Sequence, residues 1–295
     1  MAGKPLTTER HPKHQGHGVV QDTPEKTRVT RQSSLSSLLA CAHTLADISA
    51  KAIRPHFRKA ILIDDKGGAA GFDPVTIADR AAERAIARHL AAAFPDHGII
   101  GEEYGIVRPG ARYRWVLDPI DGTRAFIMGL PTWGTLIGLM DGPDLILGVM
   151  NQPFTGERFW SSASAAHLRG ADGKTRRIKT RACPSLGQAM ISTTHPDLFP
   201  SAHQRKVHAR LKAATRMTRY GADCYAFCML AAGHIDIVFE ADLKPYDIAA
   251  LIPIIERAGG RVTTWDGGSP TSGGNILACG DPNLHAQALA LIAAA

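Results

Sequence analysis

The spacing of apolar residues changes along this chain and limits what it can fold into. Residues 98–170 contain short β-rich runs separated by Gly, Pro and Asp, which is typical of strands joined by turns. From about residue 186 onward, short apolar runs alternate with segments of helical spacing. The first pattern predicts a largely antiparallel sheet, and the second predicts alternating strands and helices. The chain is therefore expected to be an α/β (α+β) protein in two halves.

Two helices are predicted before the first strands. The segment SSLSSLLACAHTLADISAKAIRPHF begins with serines that can cap a helix, and TIADRAAERAIARHLAAAFP ends at a proline. The boundary between the halves is placed near the basic segment GKTRRIKTRACPSLG, which is predicted to be a loop. The expected organisation is a disordered basic tail over 1–32, an N-terminal α+β subdomain over 33–185 and a C-terminal α/β subdomain over 186–295.

Composition narrows the class of protein. The chain has 295 residues, of which 44% are hydrophobic, so it can bury a large core. The net charge of +7 is compatible with an anionic substrate. A nucleic-acid partner is not expected, because the basic run GKTRRIKTR lacks interleaved aromatic residues and is better explained as a solvated loop. No apolar stretch is long enough to span a membrane. Five cysteines without a C-x-x-C spacing favour reduced thiols in the cytoplasm.

The segment WVLDPIDGT contains two aspartates three positions apart, directly after an apolar run. Pro119 cannot donate a hydrogen bond to a strand ladder, so the strand is predicted to end at Asp118. Asp118, the carbonyl of Ile120 and Asp121 would then converge as oxygen donors. An ordinary Asp-Gly turn after a strand explains this segment better when it is taken alone.

A short helix is predicted to begin at TRAF, directly after this turn. The first amides of a helix have no partner within the helix. The amides of Gly122 and Thr123 would therefore offer an anion site beside the two aspartates.

Further acids follow other predicted core elements. Glu102 and Glu103 come directly after the apolar run GII, and Asp247 lies in the first turn of a strongly apolar helix. Each could be a charged strand end or a helix cap. Clustered carboxylates repel one another unless protons or cations intervene, and no basic residue lies among them in these motifs. Oxygen donors without His or Cys favour Mg²⁺ over zinc.

These motifs together resemble a known family. The segments GEE, DPVTIADRAAE, DPIDGTRAFIMGLPTWGTLIGL and PYDIAALIPIIERAGG are similar to those of the inositol-monophosphatase family of Mg²⁺-dependent phosphomonoesterases. The resemblance runs from about residue 33 to the C-terminus. It implies a layered αβαβα sandwich, usually a homodimer, that hydrolyses a small phosphorylated substrate. A binding protein that kept the fold but lost catalysis is a weaker alternative, because every expected ligand is present.

The resemblance also implies a role for individual residues. Two or three Mg²⁺ ions would be held by Glu102, Asp118, Asp121 and Asp247 and by the carbonyl of Ile120. Thr123 and Asp73 would orient and deprotonate the attacking water, Glu103 would hold another water, and Gly122 and Thr123 would cradle the phosphate.

The C-terminal half is closer to the histidinol-phosphatase branch of that family. The segments STTHPDLF and RYGADCYAFCMLAAGHIDIVFEADLKPYDIAAL carry this likeness. It implies hydrolysis of L-histidinol phosphate in histidine biosynthesis, with Arg219, Asp223 and Glu240 on the substrate side. Carboxylates suit the substrate's ammonium group. The alternative substrates are inositol 1-phosphate and other small sugar or nucleotide monophosphates.

Two positions depart from the pattern of that branch. Ala222 stands where glycine is expected, and Met128 stands where a small polar residue is common. Neither is an expected metal ligand, so both departures bear on substrate shape and leave the metal chemistry unchanged.

Overall fold

The computed structural model describes residues 34–66 and 74–295. Residues 34–295 belong to one compact unit. The predicted tail and Asp73 lie outside the described residues. None of the described helices is long and apolar enough to cross a membrane.

Both predicted N-terminal helices are present, as α1 (Leu35–Ile53) and α2 (Ile77–Ala93). The side chain of Ser34 caps α1, as the serines predict. A two-stranded antiparallel hairpin of β1 (Ile63–Asp65) and β2 (Pro74–Thr76) precedes α2 and was not predicted. All three residues of β1 are exposed and β2 has only three residues, so neither strand is long enough to show an apolar alternation that a sequence pattern could reveal.

The expected largely antiparallel sheet is confirmed. It has eight strands in the order β10-β9-β8-β7-β6-β5-β3-β4, and only β3 and β5 pair in parallel. Its strands are β3 (Gly98–Gly101), β4 (Gly105–Val107), β5 (Tyr113–Asp121), β6 (Gly134–Asp141), β7 (Asp144–Gln152), β8 (Glu157–Ser161), β9 (Ala166–Arg169) and β10 (Thr175–Ile178). A short helix, α3 (Thr123–Ile127), follows β5 as the TRAF segment predicts.

The prediction that the basic segment is a loop was wrong for β10, which pairs with β9 at the edge of this sheet. Its first three residues are exposed, so its backbone hydrogen bonds, rather than an apolar pattern, define the strand. Basic side chains on an edge strand also discourage pairing with other sheets.

The second sheet has five strands in the order β12-β11-β13-β15-β14. Its strands are β11 (Met190–Thr193), β12 (Met217–Tyr220), β13 (Ile237–Leu243), β14 (Arg261–Thr264) and β15 (Gly274–Cys279). The helices of this half are α4 (Ala202–Ala214), α5 (Asp223–Ala231), α6 (Pro245–Ile248), α7 (Leu251–Ala258) and α8 (Pro282–Ala293). Strand β12, which carries mostly exposed residues, was not predicted.

Three buried clusters define the layers. Helices α1 and α2 pack on one face of the eight-stranded sheet. Helices α5 and α7 lie between the two sheets. Helices α4 and α8 cover the outer face of the five-stranded sheet. The order of layers is therefore αβαβα, as expected.

One long helix was predicted from Asp247 to Gly260, but the structure breaks it between α6 and α7. Pro253 lacks an N–H, and its ring excludes the normal position of the Ala249 carbonyl four residues earlier. The break rests on two paired glycines, Gly138 of β6 and Gly148 of β7. A Cβ at Gly148 would lie 1.9 Å from the carbonyl oxygen of Ala250. This close approach sets the position of α6 and hence of Asp247.

Gly148→Ala is expected to lower the free energy of unfolding by about 1–3 kcal/mol, since the added methyl group overpacks the contact with Ala250. Urea denaturation of both proteins measures this difference. Gly110→Ala is the matched control, because a Cβ there meets nothing within 4 Å. Equal stability of both variants would mean that α6 and α7 do not rest on the glycines.

Candidate active site

The acidic site begins at an irregularity in β5. The strand was predicted to end at Asp118, but it continues to Asp121. Its register against β6 shifts between Asp118, which faces Leu136, and Asp121, which faces Gly134. Three steps on β5 match two on β6, which is a bulge, and bulges redirect side chains near sites. The hydroxyl of Thr135 donates to the carbonyl of Pro119 at 2.8 Å and satisfies the backbone there.

The turn after β5 depends on glycine. Gly122 has a φ of 83°, in the left-handed region that favours glycine. A Cβ there would also lie 3.1 Å from the Asp223 side chain and 3.2 Å from the Cα of Trp133. Helix α3 begins at the next residue, Thr123, whose hydroxyl donates to the Ile120 carbonyl at 3.0 Å. The turn therefore brings the DPIDGT segment against the start of α5.

Three aspartates from two distant segments come together here. Asp118, Asp121 and Asp247 each place a carboxylate oxygen within 4.8 Å of the others, and we call them the three-acid cluster. Asp121 accepts the backbone N–H of Cys224 at 2.8 Å, and Asp247 accepts that of Lys244 at 2.7 Å. Asp247 is thus both a helix-capping residue and a member of the cluster.

The cluster is electrostatically unfavourable without a cation. Burial raises the pKa of Asp118 well above its ordinary value, and the charges of Glu102, Asp121 and Asp247 raise it further. Burial likewise raises the pKa of Asp121, with Asp247 and Asp223 adding to the effect. Asp118 Oδ1 is buried and has no hydrogen-bond partner among the residues that the structure describes. An unpartnered buried oxygen among hard anionic donors fits a divalent cation.

Glu102 and Glu103 have a basic partner that the motifs do not contain. Lys66 Nζ lies 2.9 Å from Glu102 Oε1 and 2.8 Å from Glu103 Oε1. Burial lowers the pKa of Lys66, but the hydrogen bonds and charges of the two glutamates raise it overall. The prediction concerned only the motifs, and Lys66 lies outside them, so these two acids gain a basic partner that the motifs could not show. Sequence reasoning missed Lys66 because it directly follows β1 of the unpredicted hairpin.

A buried glutamate of α2 holds the turn that carries Glu102. Glu83 is 1% exposed, and its carboxylate accepts the backbone N–H groups of Glu103 at 2.8 Å and Tyr104 at 3.0 Å. A Cβ at Gly101 would lie 2.0 Å from Glu83 Oε1, so a side chain at that position would displace the carboxylate. In the sequence, Glu83 is only one charged residue of an amphipathic helix.

Asp79 is a second buried acid that sequence reasoning passed over. It is 1% exposed, and Oδ2 accepts the backbone N–H of Thr76 at 2.8 Å and its hydroxyl at 2.6 Å. Asp79 Oδ1 has no partner in the described part of the chain. Burial raises the pKa of Asp79 to about 7. The hydrogen bonds from Thr76 oppose this shift, and the charges of Glu103 and Glu102 add to it. A carboxyl group that titrates near neutral pH is suited to accept a proton.

A cleft of ≈ 860 Å³ opens beside the three-acid cluster. Among the expected site residues, those that line it are Glu102, Asp118, Ile120, Asp121, Gly122, Thr123, Asp223, Glu240 and Asp247. Arg219 is not among its lining residues; it is exposed on the edge strand β12. Polar side chains that sequence reasoning missed also line the cleft, namely Arg124, His195, Asp197 and Lys244.

Glu240 is a buried carboxyl group at the cleft. It is 3% exposed, so it is not a surface charge at the end of a strand. Its oxygens accept the Thr193 hydroxyl at 3.1 Å, the Thr194 backbone N–H at 2.7 Å and the Thr194 hydroxyl at 3.0 Å. Burial raises its pKa to about 8, although these hydrogen bonds oppose the shift. A cation in the cleft would favour the ionised form of this group.

The charge of Asp223 acts on two neighbours, raising the pKa of Glu240 and that of Asp121 in the DPIDGT turn. Its φ is 43°, so it occupies the left-handed region without being glycine. Ala222, not Asp223, is the capping position of α5 and makes no side-chain capping bond. Burial raises the pKa of Asp223 to about 6, and the nearby Arg124 opposes the shift.

The geometry agrees with a comparison to known proteins. The inositol monophosphatase family profile matches residues 34–295. The chain belongs to the inositol monophosphatase family. A solved structure of an inositol monophosphatase from Zymomonas mobilis superposes with a TM-score of 0.78 at 41% identity, covering 89% of this chain and 100% of that one. The αβαβα fold expected from the motifs is confirmed.

Two curated proteins with different names are similar to this member of the inositol monophosphatase family. It is 42% identical over 269 residues to the bifunctional phosphatase IMPL2, chloroplastic, of Arabidopsis thaliana, covering 87% of this chain and 75% of that protein. It is 31% identical over 206 residues to the histidinol-phosphatase of Mycobacterium tuberculosis, covering 70% of this chain and 79% of that protein. The protein is a phosphatase of a generally metal-dependent family. Proteins named inositol monophosphatase and histidinol-phosphatase both match this chain, so sequence similarity alone does not identify the substrate.

Proposed function

We propose that this phosphatase is a metal-dependent phosphomonoesterase that hydrolyses L-histidinol phosphate to L-histidinol and phosphate. The observation that carries the proposal is the buried Glu240, which lines the same cleft as the three-acid cluster. A substrate with a phosphate at one end and an ammonium group at the other matches a cleft with a metal site and a separate buried carboxyl group. The likeness to histidinol-phosphatase supports the same substrate.

The residues present fit Mg²⁺. Glu102, Asp118, Asp121 and Asp247 and the Ile120 carbonyl would hold two or three ions. The unpartnered Asp118 Oδ1 supports this assignment. When bound, the ions would lower the pKa of a water molecule and neutralise charge on the leaving oxygen.

The remaining groups act on water and phosphate. Thr123 and Asp73 would orient and deprotonate the attacking water, and Glu103 would hold a further water. The unpartnered oxygen of Asp79 and its pKa of about 7 support a share in accepting the proton. The amides of Gly122 and Thr123 would cradle the phosphate.

The other end of the cleft would bind the amino alcohol. Glu240 and Asp223 would pair with the ammonium group, which would draw both carboxyl groups into their ionised forms. Arg219 stays a predicted substrate-side residue from the family likeness; its exposed position on β12 makes it the weakest member of this set.

The family resemblance also supports proposals about the assembly, compartment and pathway of the enzyme. We infer a homodimer acting in the cytoplasm in histidine biosynthesis, with no nucleic-acid partner. We also infer that residues 33–185 supply most of the metal site and that residues 186–295 complete it through Asp247 and the substrate-side carboxylates.

Glu240→Gln and Asp223→Asn are expected to lower kcat/KM for L-histidinol phosphate about a hundredfold, because losing one partner of a buried charge pair costs several kcal/mol. Hydrolysis of a small monoester of a neutral alcohol should change little. Steady-state phosphate release on both substrates measures the difference. Equal losses on both would assign these acids to the metal site or to the fold.

Inositol 1-phosphate is the second candidate substrate. The 41% identity to the Zymomonas mobilis inositol monophosphatase favours it. Phosphate-release assays of the wild-type protein across histidinol phosphate, inositol 1-phosphate and other sugar and nucleotide monophosphates decide between them. A higher kcat/KM for inositol 1-phosphate would overturn the histidinol assignment.

A further inference from the structure

A second recess lies outside the cleft. It has a volume of ≈ 300 Å³ and is lined by Arg54, Phe57, Arg58, Lys59, Trp133 and Phe154. It shares no lining residue with the cleft. Its volume is at the lower end of the range for small-molecule sites. The fold and the proposed reaction leave its composition, three cations around three aromatic rings, unexplained.

The three cations have no acidic partner among residues 34–66 and 74–295. Arg54, Arg58 and Lys59 are exposed, and none forms an ion pair with another described residue. Like charges this close in sequence repel one another. An anion bound among them would relieve the repulsion and gain charge-assisted hydrogen bonds.

One of these cations is held in place. The guanidinium of Arg58 lies 4.3 Å from the ring centroid of Phe154, and its Nε donates to the Gly129 carbonyl at 3.0 Å. Its backbone is in the left-handed region, with a φ of 59°. The Nη groups form no hydrogen bond with a described residue. A guanidinium fixed through Nε presents its free N–H groups at a low entropic cost.

One of the three aromatic residues that line the recess has a hydrogen-bond donor without a described acceptor. Trp133 is fully buried, and its indole Nε1 has no hydrogen-bond partner in the described ranges. Its ring packs against Phe57, with centroids 5.2 Å apart. Phe154 is 46% exposed, and the Arg58 guanidinium lies over one face of its ring. A buried N–H without an acceptor is costly, so the indole is a sensitive reporter of any change in the adjoining recess.

We propose that this recess binds a small aromatic compound that carries a phosphate-type group. The oxyanion would lie among Arg54, Arg58 and Lys59, in the recess that Trp133 adjoins. The ring of the ligand would pack on Phe154. This site is separate from the metal-dependent cleft and requires no metal.

Isothermal titration calorimetry of the full chain in EDTA, with phenylphosphonate as the probe, tests the proposal. One saturable site is expected. Arg58→Gln should weaken binding about tenfold or more, because it removes a charge-assisted contact. Arg88→Gln, the same change at an exposed position on α2, should alter the affinity by less than about twofold. Benzoate and inorganic phosphate should both bind more weakly, since one lacks the phosphonate and the other lacks the ring.

A second readout locates the ligand. In ¹⁵N-labelled protein, the indole N–H resonance that disappears in Trp133→Phe should shift on titration with phenylphosphonate. Lys59→Gln, which alters only an exposed side chain, should also weaken binding if Arg58→Gln fails to fold. Absence of saturable binding, equal affinity of Arg58→Gln and Arg88→Gln, or shifts confined to another tryptophan would overturn the proposal.

Discussion

Asp121→Asn is expected to lower kcat/KM on the order of a thousandfold or more, because a neutral amide replaces a charged ligand of the proposed ions. The amide oxygen can still accept the Cys224 N–H, so the local shape should survive. Steady-state phosphate release measures the loss. The matched control is Asp144→Asn, an exposed position at the start of β7, which should leave the rate unchanged.

The stability of the same variant separates the metal role from a turn role. Burial raises the pKa of Asp121, so the charged form opposes folding, and this cost grows as pH rises above the ordinary aspartate value. Metal-free Asp121→Asn should therefore unfold at the same or a higher temperature than the wild type at pH 8. Unchanged activity of this variant would mean that DPIDGT forms an ordinary Asp-Gly turn and does not bind metal.

Excess EDTA is expected to abolish phosphatase activity, and Mg²⁺ added beyond the chelator should restore it. The physical reason is the three-acid cluster, whose buried carboxylates repel one another without a cation. EDTA already saturated with Mg²⁺ is the control, since it leaves free metal in place. Full activity in excess metal-free EDTA would contradict the proposed mechanism.

Metal binding should also be visible without turnover. A ligand that binds only the folded state raises the unfolding temperature with its concentration. Mg²⁺ should therefore raise the Tm of the metal-free wild type, and this rise should be smaller in Asp121→Asn. The same rise in both proteins would place the metal elsewhere.

Strong local patterns made much of the fold predictable. Helices α1 and α2 carry apolar residues at helical spacing with capping residues at their starts. The central strands of the eight-stranded sheet are continuous buried runs between turns. What the patterns missed were the mostly exposed strands β1, β4, β10 and β12, together with the three-residue partner of β1, β2. Backbone pairing defines these strands, so they lack the apolar alternation that identifies a buried strand.

The proposed ligands were visible as acids at the ends of apolar segments, but their distances from one another were not. The bulge in β5 and the break between α6 and α7 place Asp118, Asp121 and Asp247 in one cluster. That break depends on a proline in one half of the chain and on a glycine pair in the other. The sequence of neither segment shows that the two segments are in contact.

The sequence by itself determined most helices and buried strands, the acidic motifs and the family likeness that implied the layer order, because apolar spacing and short motifs are properties of neighbouring residues. Only the tertiary structure decided which charges meet. Lys66 reaches Glu102 and Glu103 through a hairpin without an apolar pattern, and Glu240 is buried against Thr193 and Thr194. A carboxyl group's charge state depends on burial and on partners far away in sequence. The linear pattern identifies a residue as acidic, whereas the fold sets its environment.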